Sequence, residues 1–191
     1  MPNQAGQVEQ RAGCASAHQH LATEWAPRTT GKVLAVGVGN ELRADDAAGL
    51  RVAGLLAASG ACQVLVAEEV PENYLDPMLR AQPDTIIFCD AVDLGREPGA
   101  FALLDVEDLA GRCVSTHNPS LRLLGRCLRA GGVRNVLVAA IQPQRIGWGQ
   151  GLSPAVQAGA EALAATLVGA LRAAAGGTRG CTAGPGQVAM C

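Results

Sequence analysis

Three side chains that can bind a metal ion or move a proton lie close behind apolar segments or in a polar loop. Asp46 comes shortly after an apolar run that begins at Val33, Asp90 comes directly after a run that begins at Thr85, and His117 lies in a polar stretch. Two carboxylates and one imidazole suit a first-row divalent ion better than calcium or magnesium. The set contains no thiolate, which argues against a closed structural zinc site. These residue types therefore predict an open three-ligand site, provided that the fold brings them together.

The apolar pattern predicts the elements that must position these side chains. Continuous apolar runs indicate strands buried on both faces, and Ala/Leu-rich stretches between them indicate helices. We predict five strands, at residues 33–38, 63–67, 85–89, 100–104 and 136–141. We predict four helices, at residues 46–59, 71–81, 120–130 and 153–172. The fourth strand follows a connection too short for a helical crossover, so it is expected to run antiparallel at an edge.

This alternation predicts an α/β fold: a single-domain three-layer sandwich with a mostly parallel, five-stranded twisted sheet and helices on both faces. Such sheets bind ligands beyond the carboxyl ends of their strands, where the strand order reverses. Asp46 and Asp90 meet there if the first and third strands are neighbours. We assign residues 31–175 to the domain, residues 1–30 to a flexible N-terminal extension and residues 176–191 to a flexible Gly-rich tail.

The composition indicates which binding partners and which cell compartment are expected. The chain has 191 residues, a net charge of −2 and no basic run, which argues against nucleic acid and anionic membranes. No stretch in the sequence approaches the ~20 apolar residues of a membrane helix, so no membrane insertion is expected. Seven cysteines, an odd number without a Cys-x-x-Cys pair, favour a reducing cytoplasm over a disulfide framework.

The glycines after the first strand admit a competing interpretation as a nucleotide-binding loop. Gly37 and Gly39 fit the first two positions of a dinucleotide fingerprint, but Leu42 occupies the third. Asp45 and Asp46 would repel a pyrophosphate at the start of the helix. The pair therefore favours a cation site. For Asp45 alone we predict a helix N-cap.

Nucleophilic catalysis is a second competing interpretation. Ser115 and Ser120 flank His117, but no Gly-x-Ser-x-Gly elbow is present, and both serines are close to the histidine in sequence. Cys89 and Cys113 have no activating base nearby in sequence. Neither pairing is as well supported as the three-ligand set. A further acid, Asp93, is predicted to serve turn formation.

Three segments resemble, in order and spacing, those of the NiFe-hydrogenase maturation endopeptidases: Gly37-Val-Gly-Asn40 with Asp45-Asp46, Asp90-Ala-Val-Asp93, and Ser115-Thr-His-Asn118. The resemblance extends from about residue 32 to 172. Two further segments resemble the endopeptidases of the formate hydrogenlyase (hydrogenase 3) type: Val70-Pro-Glu-Asn-Tyr74, and Ile141-Gln-Pro143 followed by Gly147.

The resemblance implies an endopeptidase that removes a C-terminal extension from a NiFe-hydrogenase large-subunit precursor after nickel insertion. It assigns metal recognition and catalysis to Asp46, Asp90 and His117, with nickel supplied by the precursor. Whether hydrolysis is of the aspartic type or metal-assisted stays open, as does a non-catalytic nickel- or precursor-binding chaperone that uses the same ligands. We expect a cytoplasmic monomer.

The sequence departs from the family pattern at two places. The family has glycine where this chain has Ala47, which would strain the backbone if that position needed a special angle but not if it were helical. The proline near His117 is also displaced, which bears on the start of the next helix. Tyr74 and Trp148 are candidates for contact with the precursor, with ordinary packing favoured for Trp148.

Overall fold

The computed structural model describes residues 17–109 and 118–177. Its strands are β1 (Val33–Val38), β2 (Gln63–Glu68), β3 (Thr85–Ala91), β4 (Phe101–Asp105) and β5 (Asn135–Ile141). Its α-helices are α1 (residues 17–25), α2 (Ala48–Ser59), α3 (Leu75–Arg80), α4 (Asn118–Ala130) and α5 (Pro154–Gly177). Short 3₁₀ turns span Ala26–Arg28, Ala44–Ala47, Pro71–Tyr74 and Val106–Leu109.

The strands form one sheet in the order β2-β1-β3-β5-β4. β1 pairs in parallel with both β2 and β3, and β3 pairs in parallel with β5. β4 pairs antiparallel with β5 at the edge, as the short connection before it predicts. The chain leaves β1 for β2 on one side and returns to place β3 on the other, so the strand order reverses between β1 and β3. The α/β class and the mostly parallel sheet are therefore confirmed.

Helices cover both faces of the sheet, because side chains alternate between the faces along each buried strand. On one face, α1, α2 and α5 pack over residues such as Ala35 and Ile87. On the opposite face, α3 and α4 pack over residues such as Val36 and Phe88. All six residues of β1 and all seven of β3 are buried. This accounts for their continuous apolar sequence, which a half-exposed strand would not need.

The N-terminal boundary that we predicted is wrong for residues 17–30, which belong to the fold. Residues 17–25 are helical, and Trp25 is only 4% exposed and meets Phe101 edge-on at a centroid separation of 6.1 Å. Arg28 donates a 2.7 Å hydrogen bond to the carbonyl oxygen of Leu103. The segment carries too few apolar residues to reveal helical periodicity, and one tryptophan supplies much of its burial. Residues 1–16 and 178–191 lie outside the described ranges.

α5 has the length and apolar composition of a membrane-crossing helix, which is more than the sequence pattern suggested. Its apolar stripe is buried against the sheet, however, with Val156, Ala160, Leu163 and Leu167 all inaccessible to solvent. Burial inside the domain is typical of the core helix of a soluble protein. Within the described ranges, no other helix meets the same criteria.

Candidate functional site

The site region lies at the carboxyl ends of β1 and β3, where the strand order reverses. After β1 the chain turns at Gly39, forms the 3₁₀ turn Ala44–Ala47 and enters α2. Asp46 lies in that turn, which packs against β3. Asp90 lies in β3, one residue beyond the Cys89 that pairs with Gly37 of β1. The condition under which we expected the two aspartates to meet, adjacency of these two strands, is confirmed.

A glycine brings α2 into contact with these strand ends. A Cβ atom on Gly49 would overlap the carbonyl oxygens of Val38 and Cys89, so only glycine permits this approach. Gly39, with a φ of +135°, lies directly against the carbonyl oxygen of Asp46. The first turn of α2 therefore rests on the ends of both strands. This close contact holds the Asp46 turn beside the end of β3.

Both aspartates are buried, with Asp46 1% and Asp90 0% exposed to solvent. Asp46 Oδ2 accepts a 2.9 Å hydrogen bond from the backbone N–H of Asn40. The position of Asp90, two residues after Phe88, directs it to the α3/α4 face of the sheet. Two buried carboxylates at one sheet edge are costly to keep unless they bind cations or hydrogen-bond donors. This arrangement is suited to metal or proton chemistry.

Asn40 connects the Asp46 turn to the strand on its other side. Its side-chain oxygen accepts a 2.8 Å hydrogen bond from the N–H of Leu42, and its amide nitrogen donates a 2.8 Å bond to Glu69 Oε1. Its own backbone N–H binds Asp46. The loop that would cradle a phosphate in a dinucleotide-binding protein thus donates to a carboxylate instead. This contact argues against the nucleotide interpretation.

Asp45 is not a helix cap, contrary to our prediction. No side chain caps the 3₁₀ turn or α2. Asp45 is fully buried and accepts hydrogen bonds from the backbone N–H groups of Gln144 and Arg145, both at 3.0 Å, and from both the N–H (2.6 Å) and the hydroxyl (3.0 Å) of Ser153. It ties the loop after β5 to the turn that carries Asp46. Local sequence could not reveal this role, because the partners lie about a hundred residues away.

Asp93 and Gln142 both serve the loop after β3. The role of Asp93 was predicted from the sequence, and that of Gln142 was not. Asp93 is exposed and accepts a 2.9 Å bond from the N–H of Gly95, which lowers the pKa of its carboxyl and confirms the turn role. Gln142 is buried, and its side-chain oxygen accepts bonds from the N–H groups of Leu94 (2.6 Å) and Arg96 (3.2 Å). It thereby fixes the loop that leaves the end of β3. The signals for it were its place directly after a buried strand and inside the family-like segment Ile141-Gln-Pro143, but neither stated its role.

His117 lies outside the described residues, as do Ser115 and Cys113. Within the described ranges, no group of three His, Cys, Asp or Glu side chains is placed to hold a metal ion. α4, which begins at Asn118, packs on the same face of the sheet to which Asp90 is directed. The three-residue site therefore stays a prediction, of which the structure describes the two aspartates.

The alternative with Cys89 as the nucleophile is weakened by burial. Cys89 is inaccessible to solvent, and burial strongly raises the pKa of its thiol, with smaller contributions from Cys62 and Asp90. A thiol in that state forms almost no thiolate near neutral pH.

The departure from the family pattern at Ala47 is harmless, because its φ of −72° and ψ of −2° are helical angles that alanine adopts readily. The displaced proline, Pro119, falls in the first turn of α4, which tolerates it.

Comparison with known proteins identifies the family. Residues 59–170, more than half of the chain, match the family model described as HycI, hydrogenase maturation protease. The hydrogenase 3 maturation protease of Escherichia coli K12 is 32% identical over 114 residues, which cover 58% of this chain and 72% of that protein. This similarity confirms the resemblance to hydrogenase 3 maturation proteases that residues 70–74 and 141–147 indicated.

Solved structures show the same fold. The crystal structure of the NiFe hydrogenase maturation protease HycI from Thermococcus kodakarensis KOD1 has a TM-score of 0.65 and 27% identity, covering 77% of this chain and 97% of that one. The solution structure of the endopeptidase HycI from Escherichia coli has a TM-score of 0.64 and 25% identity, covering 73% of this chain and 90% of that one. Together with the family match, they identify the chain as an endopeptidase of the hydrogenase maturation protease family.

Proposed function

We propose that this endopeptidase removes the C-terminal extension of a NiFe-hydrogenase large-subunit precursor after nickel insertion, and that Asp46, Asp90 and His117 recognise the nickel carried by the precursor. The observation that carries the proposal is the pair of buried aspartates at the ends of adjacent parallel strands. Carboxylates are rarely fully buried in proteins. Burial of two of them at the strand ends where α/β sheets bind ligands is typical of side chains that serve binding or catalysis. A cation presented by the substrate is a ligand that carboxylates in such a position can bind.

The donor set fits such an ion. Carboxylate oxygens and a neutral imidazole are suitable ligands for a first-row divalent metal, and three protein ligands leave positions open for groups of the precursor. Asn118, the residue after His117, begins α4 on the face to which Asp90 is directed. This connectivity supports His117 as the third ligand. Because the ion belongs to the substrate, an open site of modest affinity is appropriate.

Hydrolysis requires a water molecule whose oxygen attacks the scissile carbonyl carbon while the C–N bond breaks and the amine leaves with a proton. Either aspartate can take the proton from that water if it lies within hydrogen-bond reach. The alternative is polarisation by the substrate's metal ion. Asn substitutions distinguish the two roles. If an Asp→Asn variant still binds the nickel-loaded precursor but does not cleave it, that aspartate is the general base for the water. If the variant loses both binding and cleavage, that aspartate is a ligand of the metal ion.

The test of the site is cleavage of a nickel-loaded precursor, followed by intact-mass measurement of the large subunit. Asp46→Asn, Asp90→Asn and His117→Ala should each reduce cleavage by at least a hundredfold while the far-UV circular dichroism stays unchanged. Asp93→Asn is the matched control, since Asp93 is exposed and serves a turn, and it should cleave normally. Normal cleavage by all three site variants would refute the assignment. Equal cleavage of nickel-free precursor would refute nickel recognition.

The surface next to the site is suited to a large protein substrate. Trp148 is 86% exposed, so the packing role that we favoured for it is wrong, whereas Tyr74 is partly buried in the core beneath α3. The N–H of Gly149 donates to the carbonyl oxygen of Leu42, itself 52% exposed, so the two apolar side chains belong to adjoining segments. Exposed tryptophan next to apolar neighbours is typical of protein-binding surfaces. We assign this surface to precursor binding.

We also propose that the protein acts in the cytoplasm as a monomer. Cys62, Cys89 and Cys127 are free thiols among the described residues, which supports a reducing compartment. Sedimentation equilibrium of the full chain tests the monomer; a concentration-independent dimer mass would overturn it.

A further inference from the structure

Two adjoining cavities form a trough beside the Asp46 turn. The larger, of about 740 Å³, reaches from Leu42 and Leu50 toward Gln150 and Leu152. The smaller, of about 380 Å³, reaches from the same two leucines to Val66 in β2. The cavities share Glu41 as well, so they adjoin along Glu41, Leu42 and Leu50, between the loop after β5 and the end of β2. Cavities of these volumes have room for several residues of a peptide.

The carboxyl end of an edge strand forms part of the trough, since Val66 and Glu68 of β2 line the smaller cavity. β2 is the terminal strand of the sheet, and among residues 17–109 and 118–177 no strand pairs with its outer edge. Its outward side chains include Val66, which is 50% exposed. An edge with unpaired N–H and C=O groups beside an apolar trough is the arrangement to which extended peptides add as an extra strand. Alternate side chains of such a peptide would contact Leu42 and Val66.

The charge of the trough selects a particular kind of peptide. Glu41, Glu68 and Glu69 line it, and all three are exposed. The only cation along it, within the described ranges, is Arg51, which lies 3.5 Å from Glu161 and is therefore partly neutralised. A peptide with basic side chains is attracted to such a wall, and one with acidic side chains is repelled.

We propose that this trough binds an extended segment of the large-subunit precursor that carries basic side chains alternating with apolar ones. The segment lies along the outer edge of β2 and leads the chain past Asn40 to the aspartates, since Asn40 binds both Glu69 and Asp46. The inference rests on the proposed function, because that function supplies the partner. It adds the binding path, the backbone conformation and the charge of the segment.

The kinetic test separates binding from cleavage. The double variant Glu41→Gln/Glu68→Gln should raise KM for the nickel-loaded precursor about fivefold to tenfold and leave kcat within twofold, since rim charges act on encounter and affinity. Raising the salt concentration should increase KM for the unsubstituted protein more than for the double variant. Glu24→Gln, an exposed position on α1, is the matched control and should change neither constant. Equal KM values for the control and the double variant would overturn the charge argument.

The apolar part of the trough is tested in the same assay. Val66→Ser should raise KM about threefold or more. Leu123→Ser, which removes an apolar side chain of α4 that is at least as exposed, should not. If the unsubstituted protein fails to cleave the precursor, the proposed function has failed. The affinity of the same precursor for these four variants, measured by calorimetry, then tests the trough independently of cleavage. Unchanged affinity in the trough variants would refute it. Sedimentation that showed two copies joined through β2, broken by Val66→Ser, would assign the trough to self-association and overturn the peptide proposal.

Discussion

Replacing Asp45 by asparagine should destabilise the protein and disorganise the site, although Asp45 binds no substrate in our proposal. One carboxylate oxygen accepts a single bond from the N–H of Ser153, and the other accepts three bonds, from Gln144, Arg145 and the hydroxyl of Ser153. The least disruptive asparagine keeps its oxygen at the three-bond position. Its amide nitrogen then faces the N–H of Ser153, and the shortest of the four bonds, 2.6 Å, is lost.

The magnitude follows from those contacts. A hydrogen bond to a charged group contributes about 1.5–3 kcal/mol, and the donor left without an acceptor is buried. The three remaining bonds change from a charged to a neutral acceptor and weaken. We therefore expect a loss of about 3 kcal/mol in the free energy of unfolding. For a domain of this size that corresponds to a fall in Tm of roughly 6–12 °C.

The assay is urea unfolding together with a thermal scan, followed by cleavage of the precursor at a temperature where the variant is still folded. Cleavage should fall at least tenfold, because the loop tethered by Asp45 borders the Asp46 turn. Asp93→Asn is the matched control and should shift Tm by no more than about 2 °C, since Asp93 is exposed and its hydrogen bonds with Gly95 and Gln142 belong to a surface turn. An Asp45→Asn protein with unchanged Tm would refute the tether, and one with lowered Tm but normal cleavage would refute its effect on the site.

Three further predictions follow from the close contacts, the exposed surface and the buried thiol. Gly49→Ala should lower the free energy of unfolding by about 3 kcal/mol, or displace α2 and abolish cleavage, because its Cβ atom would overlap two carbonyl oxygens. Gly54→Ala on the same helix faces open space and should raise the free energy of unfolding by about 0.5–1 kcal/mol; urea unfolding measures both variants. Trp148→Ala should raise KM for the precursor about tenfold with the free energy of unfolding unchanged within about 0.5 kcal/mol, in steady-state kinetics and urea titration. Cys89 should resist iodoacetamide at pH 8 in the native protein while exposed Cys127 reacts, as mapped by peptide mass spectrometry, because burial raises the pKa of the Cys89 thiol; rapid native labelling of Cys89 would contradict the burial.

Local pattern was sufficient to predict most of the secondary structure. β1 is found at the predicted residues, and the other four strands agree within two residues at each end. Buried parallel strands are apolar throughout and are bounded by glycine, proline or charge, so their signal is local. The antiparallel β4 was predictable from the length of the connection before it. α1 was not, because Trp25 gains its burial from Phe101 and α5, which are distant in sequence.

The candidate site, too, could be predicted from the sequence only in part. The residue types and their order predicted Asp46 and Asp90 at one sheet edge, since the carboxyl ends of parallel strands lie together once the strands are neighbours. We wrongly predicted a helix cap for Asp45 and a packing role for Trp148. Neither local sequence nor periodicity indicates which distant loop a side chain contacts. Gln142 was missed for the same reason.

The sequence by itself determined the α/β class, the strand ends that carry the two aspartates and, through its motifs, the family. Those properties depend on the periodicity and order of residues along the chain. Only the tertiary structure decided that Asp45 ties a loop a hundred residues away, that Gly49 sets α2 on the strand ends, and that Trp148 is exposed. Burial and hydrogen bonding between distant segments are properties of the packed chain, so no local pattern specifies them.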